Sequence, residues 1–300
     1  LKIRGIPKLD DANDAGGKHS DKCILILTEG DSAKSMAVAG LSEVGRDRYG
    51  VFPLRGKMLN VKDAPKSQIT ENSEITNLKK IIGLQEGYVY TDKDIKKLRY
   101  GKIMVMTDQD HDGSHIKGLL MNVFHTLWHS LLEQGYITSM ITPIVKVSKG
   151  KKILSFYNLK DYKDWKTSHN EGKGWKIKYY KGLGTSNTKE AKEYFRDIKA
   201  VTYTWTGEES DISMNLAFKK DQADKRKGWL KDFDPDNHVN LDVNDKEVPV
   251  PDFINKELIL FSHSDNLRSI PSVIDGLKPS QRKILYCCFK RKLYSEIRVA

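Results

Sequence analysis

The chain has 300 residues, enough to bury a sizeable core and to divide into two domains. Hydrophobic residues make up 38% and charged residues 30%, and no apolar run reaches the roughly 18 residues of a membrane-spanning helix, which excludes that class. The net charge of +11 favours a polyanionic partner, nucleic acid ahead of an acidic membrane surface. Cys23, Cys287 and Cys288 are odd in number and two are neighbours, so no disulfide framework is implied and a reducing compartment fits. No CxxC or Cys/His spacing points to zinc.

Residues 1–22 are polar and read as a loop. CILILTEG follows, with five apolar residues lacking polar alternation, as expected of a strand buried on both faces of a parallel sheet. DSAKSMAVAGL then reads as a helix with small residues on one face and Asp31 or Ser32 near its start. GRDRYGVFPLRGKMLNV, 45–61, reads as loop around one extended piece. SEITNLKKIIGL (73–84) and TDKDIKKL (91–98) read as short helices, the second with Thr91 and Asp94 in capping-box positions. KIMVMTDQDHDG repeats the earlier theme, a strand over 103–106 ending in acids and glycine, and 115–135 reads as one long apolar helix. Strand–helix–strand–helix order predicts an α/β fold: a parallel, Rossmann-like sheet flanked by helices.

Beyond it, YITSMITPIVKVSKGKKILSFYN predicts strands with a hairpin turn at KGKK. LKDYKDW, NTKEAKEYFRDIKA and DQADKRKGWLKDF predict surface helices around the lysine-rich WKIKYYKGLGTS. The polar 232–252, with three prolines, reads as a linker, and 253–300 as helices broken at Pro271 and Pro279. The chain opens without Met and stops at EIRVA, so both ends read as cuts inside a larger protein.

Functional groups of open parallel sheets gather beyond the carboxyl ends of the strands. Glu29 stands there after the first buried strand, and Asp108, Asp110 and Asp112 after the later one. If those strands are neighbours, four carboxylates converge, and like charges so placed need a cation. Hard oxygen ligands suit Mg²⁺, with Mn²⁺ or Ca²⁺ able to substitute. An EF-hand also opens with DxDxDG, but its twelfth position is Leu119 rather than Glu, and a strand precedes it. Solvated acids that merely end a strand are the plain alternative, and a phosphate-accepting receiver site is another. GLSEVGRD (40–47) has P-loop glycine spacing with Arg46 and Asp47 where Lys and Ser/Thr belong, and no GxSxG occurs.

LTEGDSA (27–33) with TDQDHDG (107–113) resembles the Toprim signature of topoisomerases, primases and some nucleases. PLRGKMLNV (53–61), YKGLGTS (180–186) and IPSVIDGLKPSQRKIL (270–285) narrow the resemblance to the type IIA DNA topoisomerases, in their eukaryotic branch rather than gyrase. It spans almost the whole chain. The implied organisation is a Toprim core over 23–140, a basic α/β extension over 141–231, the linker, and from 253 the start of a winged-helix DNA gate.

What the resemblance implies is Mg²⁺-assisted transesterification, in which a tyrosine attacks a phosphodiester of duplex DNA to leave a 3′-hydroxyl and a 5′-phosphotyrosine. Glu29 would be a metal ligand and take part in acid/base chemistry; Asp108 and Asp110 would bind one or two Mg²⁺, and Asp112 would complete the metal-binding patch as a weaker ligand or an orienting group. The family is homodimeric and nuclear, and uses ATP through a separate N-terminal ATPase domain. Its tyrosine follows an Arg in the winged helix; Arg48-Tyr49 and Arg99-Tyr100 lie outside that context, so this chain supplies half of each active site and should not cleave DNA alone. Arg55 and Lys57, with Asn60 in the same loop, would contact DNA, as would Lys181, Arg282 and Lys283, through largely sequence-independent phosphate contacts. A nuclease or primase Toprim module, or a DNA-binding fragment whose acids hold no metal, are the competing readings. His115 is expected to cap or pack its helix rather than bind metal, and the tryptophans to be core or half-buried anchors.

Overall fold

A computed structural model describes residue 3 and residues 5–234 and 247–298. In chain order the first half holds β1 (Ile24–Glu29), α1 (Gly30–Val44), β2 (Tyr49–Leu54), α2 (Lys66–Glu71), α3 (Ser73–Ile82), α4 (Asp92–Ile95), β3 (Lys102–Met106), α5 (His111–Leu127), α6 (His129–Glu133) and β4 (Ile137–Met140). The second holds β5 (Val145–Lys149), β6 (Lys152–Phe156), α7 (Leu159–Ser168), β7 (Lys176–Tyr179), α8 (Thr188–Arg196), β8 (Ala200–Thr204), α9 (Glu208–Phe218), α10 (Ala223–Lys231), β9 (Glu247–Pro249), α11 (Val250–Asp252), α12 (Ile259–Ser269) and α13 (Pro279–Lys290). A π-helical turn, Phe253–Leu258, joins α11 to α12.

The main sheet has six strands in the order β2-β1-β3-β4-β8-β9. β2, β1, β3 and β4 run parallel, β8 pairs antiparallel with β4, and β9 pairs parallel with β8. The unbroken apolar run of β1 has the expected cause. Leu25 and Leu27 join the core beneath α3 and α5, whereas Ile26 joins the opposite one with Met104 and Met106 beneath α1 and α8. α1 and α8 approach closely because Gly40 has no side chain: a Cβ there would stand 2.1 Å from the Phe195 ring. A second sheet, β6-β5-β7, carries the KGKK turn and packs Val145 and Val147 on Tyr162 and Trp165.

Local signals were sound where side chains cap their own helices. Thr91 and Asp94 form the capping box, and α3 runs from an Asn72 cap to a left-handed Gly83. The long helix expected over 115–135 differs. It begins earlier, at His111, and breaks at Trp128, whose backbone leaves helical geometry and whose buried indole donates to Gln85 O (2.9 Å).

The linker expected over 232–252 needs correction at its end, and 235–246 lie outside the described residues. Residues 247–249 are the edge strand β9, where prolines are tolerated, and Val248 and Val250 are buried. Nor does the gate begin at 253. Phe253, Ile254, Leu258, Ile259 and Phe261 are all buried, Phe253, Ile254, Leu258 and Phe261 in the main core, so this segment completes the preceding unit. By contrast α13 buries no residue.

Candidate active site

The strand tips of β1 and β3 lie side by side, with Thr28 opposite Met106. Glu29 and the aspartates follow at once. Glu29 Oε2 accepts from the backbone N–H of Asp108 at 3.4 Å, so the glutamate sits against the aspartate turn. Asp108 Oδ1 accepts from Leu183 N–H at 2.6 Å. Asp110 caps α5 by accepting from Gly113 N–H at 2.8 Å. The strand before this turn and the helix starting inside it exclude an EF-hand loop.

Burial raises the pKa of Glu29, and the charges of Asp108 and Asp110 add to the rise. Burial raises that of Asp108 as well, opposed by the Leu183 N–H and reinforced by Asp110. A cation joining Glu29 and Asp108 would offset the cost of holding both charged there. The donor set is all carboxylate oxygen, half-buried at Glu29 and Asp108 and exposed at Asp110, which is the ligand chemistry of hard divalent ions.

Asp112 is paired with cations of the chain itself. Arg268 of α12 grips it through two bonds of 2.8 and 2.7 Å, and Lys57 adds a third contact at 2.9 Å. Arg268 first and Lys57 second hold its carboxyl well below the usual range. Asp112 is thus an anchor for cations rather than a free ligand. Acidification below the ordinary carboxylate range should weaken this clamp: a depressed folded pKa adds stability that is complete above the unfolded value and fades as pH drops through the folded one.

Of the expected DNA contacts, Arg55 and Lys181 have exposed side chains near this face, and Lys283 is exposed on α13. Lys57 points at Asp112 and lies 4.6 Å over the Phe261 ring. Asn60 spends its amide within the chain, donating to Phe218 O (2.9 Å) and accepting from buried Asn122 (2.8 Å). Arg282 is forked onto Asp275 with two bonds of 2.7 Å. His115 stacks on Phe261 at 3.9 Å, and burial pushes its imidazole down to about 4, a neutral packing residue at pH 7. Tyr100 is buried and donates to Asp11 (2.6 Å), and Arg48 pairs with Asp14 (2.9 Å), so these Arg-Tyr pairs serve the fold.

The chain is matched by the family model of the Toprim domain over residues 24–141 and by that of the C-terminal associated domain of Toprim over 140–266. A DNA gyrase/topoisomerase IV family model matches 268–300. The chain is 58% identical to chicken DNA topoisomerase 2-beta and 57% identical to human DNA topoisomerase 2-alpha, with all of it aligned in both cases. The solved DNA-binding, cleavage and re-ligation domain of Plasmodium falciparum topoisomerase II superposes with a TM-score of 0.89 at 54% identity, covering 100% of this chain and 41% of that one. The chain belongs to the type II DNA topoisomerase family, as its Toprim region. It spans 19–20% of the length of these curated relatives.

In this topoisomerase region, residues outside the acidic motifs set the site. The loop YKGLGTS was legible as a motif but not as the holder of Asp108. Gly182 lies so near that a Cβ would stand 2.1 Å from Asp108 Oδ2. Gly182→Ala should therefore displace that carboxylate while leaving the fold intact, and weaken Mn²⁺ binding by about 10–100-fold in a calorimetric titration. Unchanged affinity would show that Asp108 does not depend on this loop. Arg268 gave no sequence signal, since its partner lies far along the chain.

Proposed function

We propose that this region is the metal-binding half of a DNA-cleaving site, working on duplex DNA in a nuclear, ATP-dependent, homodimeric type IIA topoisomerase. The observation that carries the proposal is Glu29 at the tip of β1 lying against the aspartate turn after β3. Bound there, Mg²⁺ would supply Lewis-acid stabilisation of charge on the phosphate and leaving oxygens. Glu29, Asp108 and Asp110 are the residues that would hold it, and Mn²⁺ or Ca²⁺ could take the same oxygens.

The chain's own groups supply the proton relay and the phosphate contacts. A tyrosine oxygen bonds to phosphorus, the bond from phosphorus to the 3′-oxygen breaks, and the tyrosine proton passes to that oxygen. Glu29, its pKa raised mainly by burial, suits the relay of that proton. Arg55, Lys181 and Lys283 offer exposed cations to DNA phosphates, and ATP would act through a separate ATPase domain. The nucleophilic tyrosine would come from elsewhere in the protein or its dimer partner: of the two Arg-Tyr pairs here, Tyr49 lies in β2 and Tyr100 is buried.

The test is Mn²⁺ titration of the chain, read by the loss of free-ion paramagnetic signal. Wild type should take up Mn²⁺ and Asp108→Ala should bind at least about tenfold more weakly. Equal uptake would leave the non-catalytic DNA-binding reading in its place.

A further inference from the structure

A second group of metal-competent side chains lies away from the acidic turn. His125 stands in the last turn of α5, and His129 opens α6 one turn later, beyond the break at Trp128. Asp211 comes from the first turn of α9. One ligand atom from each lies within 4.8 Å of the others. His125 Nε2 is 2.7 Å and His129 Nε2 3.7 Å from Asp211 Oδ1. Bonds of about 2.0–2.1 Å to a tetrahedral metal put donors about 3.3 Å apart, so these separations straddle what an ion would impose.

The surroundings of His129 give an independent indication. Its Nε2 is shielded from solvent and has no hydrogen-bond partner among the described residues. Its other ring nitrogen faces Glu133 Oε1 at 3.6 Å. That contact is an electrostatic one, longer than a hydrogen bond, on the side of the ring away from Asp211; a partner placed there suits the tautomer that imidazole ligands of metals use. Trp205 walls the group, with ring centroids 5.2 Å from His125 and 4.7 Å from His129. Lys62 Nζ lies 2.8 Å from His125 Nδ1 and opposes a cation. A metal at Nε2 would require His125 as its Nδ1–H tautomer, the protons exchanging with solvent.

We propose that His125, His129 and Asp211 form a Zn²⁺ site with an open position for water. Two imidazoles and one carboxylate suit zinc rather than Mg²⁺. The site joins α5 and α6, within the residues matched as Toprim, to α9, within the residues matched as its associated domain. Zinc there would fasten one unit to the other. A search for Cys/His spacing overlooks it, since the third ligand is an aspartate distant in sequence.

Co²⁺ titration of the full chain tests this, because four- or five-coordinate Co²⁺ absorbs visible light far more strongly than Co²⁺ held octahedrally by carboxylates. One equivalent should develop that absorption and Zn²⁺ should displace it. His129→Gln and Asp211→Asn, both at partly exposed side chains, should each weaken it at least tenfold with unchanged circular dichroism. Asp108→Asn and Cys287→Ser/Cys288→Ser should retain it, which separates the site from the acidic turn and from the adjacent thiols. Saturating Zn²⁺ should also raise the melting temperature of wild type but not of His129→Gln. The proposal is overturned if wild type shows no such absorption, or if it survives in both His129→Gln and Asp211→Asn.

Discussion

Asp108→Asn in the full-length protein should lower Mg²⁺-dependent DNA cleavage by roughly 10²–10³-fold, the scale of losing one preorganised charge-stabilising group. The same substitution should slightly raise the melting temperature of the metal-free chain near neutral pH. Both follow from the site's geometry. Asn keeps an oxygen for Leu183 N–H, so the 2.6 Å bond that fixes this turn survives. What disappears is the negative charge. Burial, then neighbouring carboxylates, raise the pKa of Asp108 and Glu29, so the folded state holds protons that the unfolded chain has lost. Stability therefore falls as pH climbs from the ordinary carboxylate range through the folded values, and the penalty is absent below that range. Removing one charge relieves it, as would a bound divalent ion. Covalent-complex assays and thermal melts with and without Mg²⁺ check the pair of outcomes. Cleavage that persists in Asp108→Asn removes the carboxylate from the mechanism, and a large fall in its melting temperature would mean that the loss of activity reports unfolding.

The acids of this site were legible because each belongs to a local pattern: a buried strand, a Gly turn, a helix start. β1 and β3 announced themselves by continuous apolar runs, and both are interior strands with each face covered. The rest depends on pairing across distance. Arg268 meets Asp112, and Leu183 N–H meets Asp108, only after the chain folds back. Asn60 looked like a DNA contact from its loop, yet its amide is committed to Asn122 and Phe218. The end of 232–252 looked like linker because the stretch is polar and carries three prolines. Val248 and Val250 alternate into the core, a pattern too short to outweigh that composition when read alone.

Lys117→Met should destabilise the fold by about 3–5 kcal/mol, the cost of stranding one member of a buried ion pair. Lys117 is 4% exposed in the middle of α5 and pairs with Glu257 in the π-helical turn. Ser114 donates to the same carboxylate oxygen at 2.7 Å. Burial alone would depress the lysine's pKa, but Glu257 overrides it and holds the ammonium charged. The other carboxylate oxygen, Glu257 Oε2, is already buried without a hydrogen-bond partner, so little remains to compensate once Lys117 is gone. The melting temperature should fall by roughly 10 °C for a chain of this size. Lys117→Met/Glu257→Leu should recover most of the loss, because an apolar pair of similar volume removes both charges together. A double variant no more stable than Lys117→Met would show that the cost is packing around α5 rather than the unpaired carboxylate. The result matters for the site because α5 carries Asp112 in its first turn and is capped by Asp110 at that same end. Loosening its attachment to residues 253–258 frees the helix that presents the acids, so metal affinity should drop in Lys117→Met and return in the double variant.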